Sequence, residues 1–411
     1  MTALVPLLAR PSRADAAHAD GGAPLPRPRV APLDGLRTLA IALVVLYHFG
    51  IPGFRGGFIG VNVFFVLSGY LITTLLLRER NISGRIRLPA FWFRRLLRLY
   101  PALLVMVLGG SLLSLWVGDG GATLDPPASA AIVLTYSGNL ARAYAHISQG
   151  IFAPTWSLGM EEQFYLIWPP ILALLLFLRL RRRVVMVGLA ALIVASSAAS
   201  MLLYRAPGGS ASPDIYFSPV LNTGPLVMGC LLAIALTVDR VRGWLAGRAG
   251  LMFTALGIAG ILIIQFTLDD SWKQQVLAVG VELPLVGIAS TLLIAGMTVR
   301  SSAISAVFAW RPIAWFGRNL SYSLYLWHML ALTVVAWFLD GWVSKVVAIA
   351  VAIVVAMLSH YLVEQPMLRL KDRFEPRTRA ARSLRLTRKA PHLARGNGAF
   401  VHPPGLEPGT H

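Results

Sequence analysis

The chain has 411 residues, of which 56% are hydrophobic and only 13% charged. A soluble protein would carry about 25% charged residues, so a soluble globular class is excluded, and the surplus apolar surface, with mean hydropathy +0.67, has to meet lipid. The net charge of +19 suggests nucleic acid at first sight. Its clustering beside apolar runs is instead the topology signal of membrane proteins, so no nucleic-acid partner is expected.

Residues 1–33 are rich in Ala, Pro and Arg and read as a disordered basic segment. The apolar run Leu4–Ala9 is too short for the core of a secretory signal, and no basic residue precedes it. Hydropathy then predicts ten helices at roughly 34–50, 58–77, 99–118, 160–178, 184–203, 219–237, 249–268, 276–298, 319–339 and 345–364. The fold class is therefore an all-α polytopic bundle. With the N-terminus inside, 32 of the 37 Lys and Arg residues fall on the inner side. Both termini are expected to be cytoplasmic, and a multi-pass membrane protein follows. A membrane domain over 34–365 is expected, with a basic, then Pro/Gly-rich tail over 366–411. The single cysteine, Cys230, excludes an intrachain disulfide and a cysteine-rich metal site, and no metal is expected.

The first helix, LDGLRTLAIALVVLYH, carries Arg37 and His48 eleven positions apart. That spacing is about three turns, so both share one face, with about 16 Å of rise between them. Ionisable groups are costly in hydrocarbon and usually face a polar interior. Arg37 at the inner end can snorkel to headgroups, whereas His48 lies too deep for that. The second segment, Gly56–Ile72, has Asn62 and Ser68 as polar points among small residues that also suit helix packing.

At the inner start of the third helix, FWFRRLLRLYP places Arg95 and Arg98 three apart on one face. Two forked guanidiniums suit a phosphate-bearing ligand, though a topology anchor needs the same residues. The fourth helix opens with TWSLGMEEQFYLIWP, which puts Glu161 and Glu162 at its outer end and Glu161, Tyr165 and Trp168 on one face. Ser157 or Thr155 can cap its start, and carboxylates suit the positive dipole end. In the ninth helix Tyr322, Tyr325 and His328 follow at three-residue steps, which brings His328 near the midplane at a depth comparable with His48.

These motifs, taken together and in this order, resemble a bacterial membrane acyltransferase of the acyltransferase-three family, the O-acetyltransferase type, over about residues 33–370. The resemblance rests on Arg37 and His48 with ten residues between them, the FFVLSG of Phe64–Gly69, the pair Arg95 and Arg98, the Thr155–Tyr165 signature with Glu161, the Ser321–His328 pattern, and Glu364 with Pro366. Asn62 stands where the family often has Asp. Larger members add an extracytoplasmic esterase-like domain, and a stand-alone membrane domain is expected here.

The resemblance implies an acyl-CoA donor, commonly acetyl-CoA, as substrate with no bound cofactor. It also implies a hydroxyl acceptor on a glycan or glycosylated small molecule. On this reading Arg95 and Arg98, with Arg37, hold the donor phosphates at the cytoplasmic face. His48, toward the outer face, is the general base, and Glu161 orients its imidazole or stabilises its cation, with an acyl-histidine relay open beside direct transfer. Burial keeps such a histidine neutral and basic. Tyr165, Tyr325 and His328 are read as substrate-binding, with membrane lipid as the remaining partner. A polytopic transporter of a glycolipid or small molecule stays open as the alternative, as does a sensory or scaffolding protein.

Overall fold

The computed structural model describes residues 30–117, 122, 124–205, 216–267 and 283–374. Most of the expected N-terminal segment, and the tail beyond residue 374, lie outside the described residues.

Helix α1 (Ala31–His48) is the element around which its neighbours assemble. Pro32 sits in its first turn, where a missing N–H costs nothing. Leu33, Leu36, Ala40, Leu43 and Val44 recur at three- and four-residue steps, and all are buried. Helices that pack directly on α1 include α2 (Gly60–Ser83), α12 (Ala303–Ala309), α13 (Arg311–Asn319) and α14 (Ser321–Phe338).

Between these run α3 (Leu88–Val117), α4 (Pro126–Leu134), α5 (Gly138–Tyr144), α6 (Trp156–Phe177), α7 (Arg182–Arg205), α8 (Gly224–Ala235), α9 (Asp239–Ala246), α10 (Arg248–Thr267) and α11 (Leu283–Val299). Helix α15 (Gly341–Ser359) continues through one π turn, His360–Glu364, into α16 (Gln365–Phe374). The tail expected from residue 366 therefore begins as helix. Among the described residues the structure is helical, apart from an isolated bridge between Ala122 and Gln149.

Two buried clusters meet on α1. One joins it to α2, α8, α10 and α11, and the other joins it to α2, α6, α14 and α15. Without a hydrophobic drive between helices in lipid, close packing has to hold them, and small residues permit it. Gly69 on α2 lies against the Leu226 carbonyl of α8, and Gly229 on α8 lies against the Val66 carbonyl of α2. Gly69→Ala should therefore destabilise the fold by about 1–3 kcal/mol, read as a lower melting midpoint in detergent. Gly188→Ala on α7, where a Cβ meets nothing within 4 Å, should leave the midpoint unchanged or raise it slightly. Equal midpoints for both variants would refute close α2–α8 packing as the cause.

Leu112, Leu115, Trp116, Phe177 and Leu202 stand exposed on the outside of the bundle, as a lipid-facing surface requires. Among the described residues seven helices are long and apolar enough to cross a membrane, or nine if two bent pairs each count as one span. The bent pairs are α8 with α9, at 96°, and α11 with α12, at 88°. The described parts of the ten expected spans overlap helices, and of these helices α6 (Trp156–Phe177) is not among the nine. Its first eight residues include Glu161, Glu162 and Gln163, which lower its apolarity. Helix α3 also starts eleven residues before the expected 99, so Arg95 and Arg98 sit within one 30-residue helix that runs through Pro101.

Candidate active site

His48 is the last residue of α1, and there it meets His328 of α14, which is fully buried. The ring centroids are 5.0 Å apart, and His48 Nδ1 lies 3.2 Å from His328 Nε2. The partners decide the tautomers. His328 Nδ1 is 2.7 Å from the Tyr325 carbonyl oxygen, which can only accept, so Nδ1 carries the proton. In the neutral ring His328 Nε2 then holds a lone pair and accepts from His48 Nδ1–H. The same His48 nitrogen also faces the Val44 carbonyl at 2.9 Å. With Nδ1 protonated, the basic lone pair of His48 is on Nε2.

One turn back on α14, the Tyr325 hydroxyl donates to the Pro154 carbonyl at 2.5 Å and accepts from Ser157 Oγ at 2.6 Å. Ser157 is the second residue of α6, so α6 starts level with Tyr325, inside the bundle. The preceding chain enters by α4, α5 and the 3₁₀ turn Gly150–Thr155. Phe152 of that turn is buried in a cluster with Leu330 of α14. Asp125 caps α4 by accepting from Ala128 N. Gln163 and Asn139 exchange amide hydrogen bonds of 2.8 and 3.1 Å, which fix α6 to α5.

This inward start corrects the expected position of the two carboxylates. Glu161 and Glu162 are not at the far side of the bundle from Arg95 but in contact with it. Arg95 Nε donates to Glu162 Oε1 at 2.9 Å, and its Nη2 lies 3.9 Å from Glu161 Oε2. Its guanidinium also covers the Tyr165 ring. Glu161 accepts from Ser68 Oγ at 2.9 Å and from the Tyr165 hydroxyl at 3.1 Å. All three charged side chains are at most 21% exposed. The physical reason is charge balance, because two carboxylates taken from water need a cation and hydrogen-bond donors close by.

The expectations about individual residues divide accordingly. His48 and His328 come together, as do Arg95, Glu161 and Tyr165, while Tyr325 hydrogen-bonds Ser157, one turn before Glu161 on α6. Glu161 does not hydrogen-bond the His48 imidazole among the described residues, and His328 occupies the orienting position assigned to Glu161. Arg95 presents its fork to carboxylates rather than to an open phosphate site. Arg98 is half-buried one turn further along α3. Arg37 pairs with Asp34 of its own helix at 3.8 Å.

Two further polar groups were not foreseen as parts of a network. Glu364 accepts from Ser323 Oγ and lies 3.3 Å from His360 Nδ1, all three buried between α14 and the π turn. The four-residue spacing of His360 and Glu364 was the available signal. Asn62 is wholly buried, and neither amide atom has a hydrogen-bond partner.

The chain matches the family profile described as "Acyltransferase domain" over residues 30–363. It belongs to this acyltransferase family, the one its sequence motifs resemble. Among curated proteins it is 32% identical over 355 residues to the peptidoglycan O-acetyltransferase OatA of Listeria monocytogenes, covering 83% of this chain and 56% of that one. A Staphylococcus aureus protein with a provisional O-acetyltransferase name is 32% identical over 348 residues, 81% of this chain and 56% of its own. The YrhL protein of Bacillus subtilis, provisionally named a peptidoglycan O-acetyltransferase, is 30% identical over 363 residues, 82% and 54%. The chain thus spans about half the length of the curated relatives it matches. No solved structure matches it.

Proposed function

We propose that this protein is a multi-pass enzyme of a bacterial cytoplasmic membrane, with both termini inside. It transfers an acyl group, acetyl in the first instance, from acyl-CoA to a hydroxyl of an envelope glycan. The observation that carries the reading is the His48–His328 contact, which assigns the basic nitrogen of His48 to Nε2. That nitrogen takes the proton of the acceptor hydroxyl as the oxygen attacks the thioester carbonyl. The carbon–sulfur bond breaks, the thiolate of CoA leaves, and the proton passes from His48 to it. His328 serves as a positioning residue, and the Arg95–Glu161–Glu162 cluster holds α6 and α3 in register beside Tyr325. The relatives' names favour peptidoglycan as the acceptor class, and the bias of basic loops supports the orientation.

Membranes carrying the protein, incubated with acetyl-labelled acetyl-CoA and then fractionated, should yield label in an alkali-labile ester on envelope glycan. Label transferred by His48→Ala membranes as well would sink the base assignment. A transporter would move its substrate without consuming the thioester, so labelled ester absent from every fraction would remove the acyltransferase reading.

A further inference from the structure

At the end of α1 remote from His48, α1 and α13 border an open surface hollow of about 520 Å³, a volume within the range of ligand pockets. Arg311, Trp315 and Arg318 of α13 line it together with Asp34 of α1. The three α13 residues follow i, i+4, i+7 spacing and share one helical face. The helix cannot drift from α1. Gly317 abuts the Asp34 carbonyl so closely that no Cβ would fit, and Thr38 Oγ1 donates to the Ile313 carbonyl at 2.6 Å.

The charges in the cavity are not balanced. Asp34 is engaged with Arg37, whereas Arg311 and Arg318 make no ion pair or hydrogen bond among the described residues. Arginine and tryptophan at a membrane surface commonly serve as anchors. An anchor does not require two guanidiniums and an indole to converge on a hollow walled by the helix that carries His48. Arg95, one of the arginines expected to hold the donor phosphates, is already committed to two carboxylates.

We propose that this cavity binds the phosphorylated nucleotide end of the acyl donor, an assignment that rests on the acyl-CoA reading above. The guanidinium forks of Arg311 and Arg318 take phosphoryl oxygens, and the face of Trp315 takes the adenine ring. Asp34 and His48 are 14 residues apart on one helix, about 21 Å of rise. The donor's phosphates and thioester are likewise separated by the long pantetheine arm, so its two ends do not need one pocket. The headgroup of an anionic lipid offers the same phosphoryl chemistry, and the experiment separates the two sources.

The test uses the full chain in nanodiscs of zwitterionic lipid, and again with phosphatidylglycerol added. The probes are CoA and CoA lacking its 3′-phosphate. Arg311→Gln combined with Arg318→Gln should weaken CoA binding by about 10-fold or more, raise KM for acetyl-CoA and leave kcat and the melting midpoint near wild type. Trp315→Leu should weaken both CoA forms alike. Unchanged CoA affinity in the folded double variant, with acyl transfer intact, overturns this site while leaving the acyl-CoA reading in place. If phosphatidylglycerol alone distinguishes the double variant from wild type, the occupant is a lipid headgroup and the proposal falls. A wild-type chain that binds no CoA removes the donor reading and the site with it.

Discussion

Replacing His48 by alanine should cut acyl transfer by about 10²–10⁴-fold, the contribution of a positioned general base, with insertion and melting unchanged. The neighbouring histidine provides the sharper test. His328 Nε2 accepts the Nδ1 proton of His48, and the glutamine carbonyl oxygen can reach the same place. His328→Gln should therefore retain most activity. His328→Asn keeps an amide near the Tyr325 carbonyl but is too short to receive the His48 proton. It should lose about 10–100-fold, the scale on which a hydrogen-bonded support of a functional histidine matters. The loss should fall on kcat with KM for donor and acceptor unchanged, because the ring is misoriented rather than the substrate unbound. Equal activity of the Gln and Asn variants, measured with labelled acetyl-CoA, would show that His328 does not set the tautomer.

The second large effect concerns Arg95. Removing one partner of a buried ion pair leaves an uncompensated charge and costs about 3–5 kcal/mol. Arg95 and its two glutamates keep up to a fifth of their surface exposed, which sets the expectation at the lower end. Arg95→Ala should thus lower the melting midpoint strongly and reduce the yield of folded protein. Glu162→Gln introduced into the same chain should recover part of the loss, since contacting residues couple by about 0.5–3 kcal/mol. A phosphate clamp would behave differently, with the melting midpoint unchanged and KM for acetyl-CoA raised. That second outcome would restore Arg95 as a donor ligand and remove the carboxylate cluster as its main duty.

The His48 result and the Arg95 result address different parts of one polar column. At one end stand the paired histidines, and at the other the arginine with its carboxylates. Between them lies the Tyr325–Ser157 hydrogen bond, and Ser157 is one turn of α6, about 6 Å of rise, from Glu161.

Composition and periodicity act over short stretches of chain, and what they control was readable from the residues alone. Apolar runs of about 20 residues have to satisfy their backbone internally in lipid, so they form helices whatever surrounds them. The placing of Arg37 and His48 on one helix, and of Glu161 with Tyr165 on another, follows from 3.6 residues per turn. Local patterning also exposed its own weak point at α6. The polar run Glu161–Gln163 argued for an outer helix end, whereas the structure buries it and supplies a cation.

That cation is 67 positions away in the chain, and the partner of His48 is 280 positions away. No local pattern encodes such pairings. They depend on where α6 starts, which is decided by the packing of Phe152 and by the hydrogen bonds of Tyr325, Asn139 and Gln163. The sequence by itself determined a helical membrane bundle and the few ionisable residues expensive enough to require partners. Which partner each one took was decided only by the tertiary structure, because burying a charge or an imidazole is settled by the nearest complementary group in space.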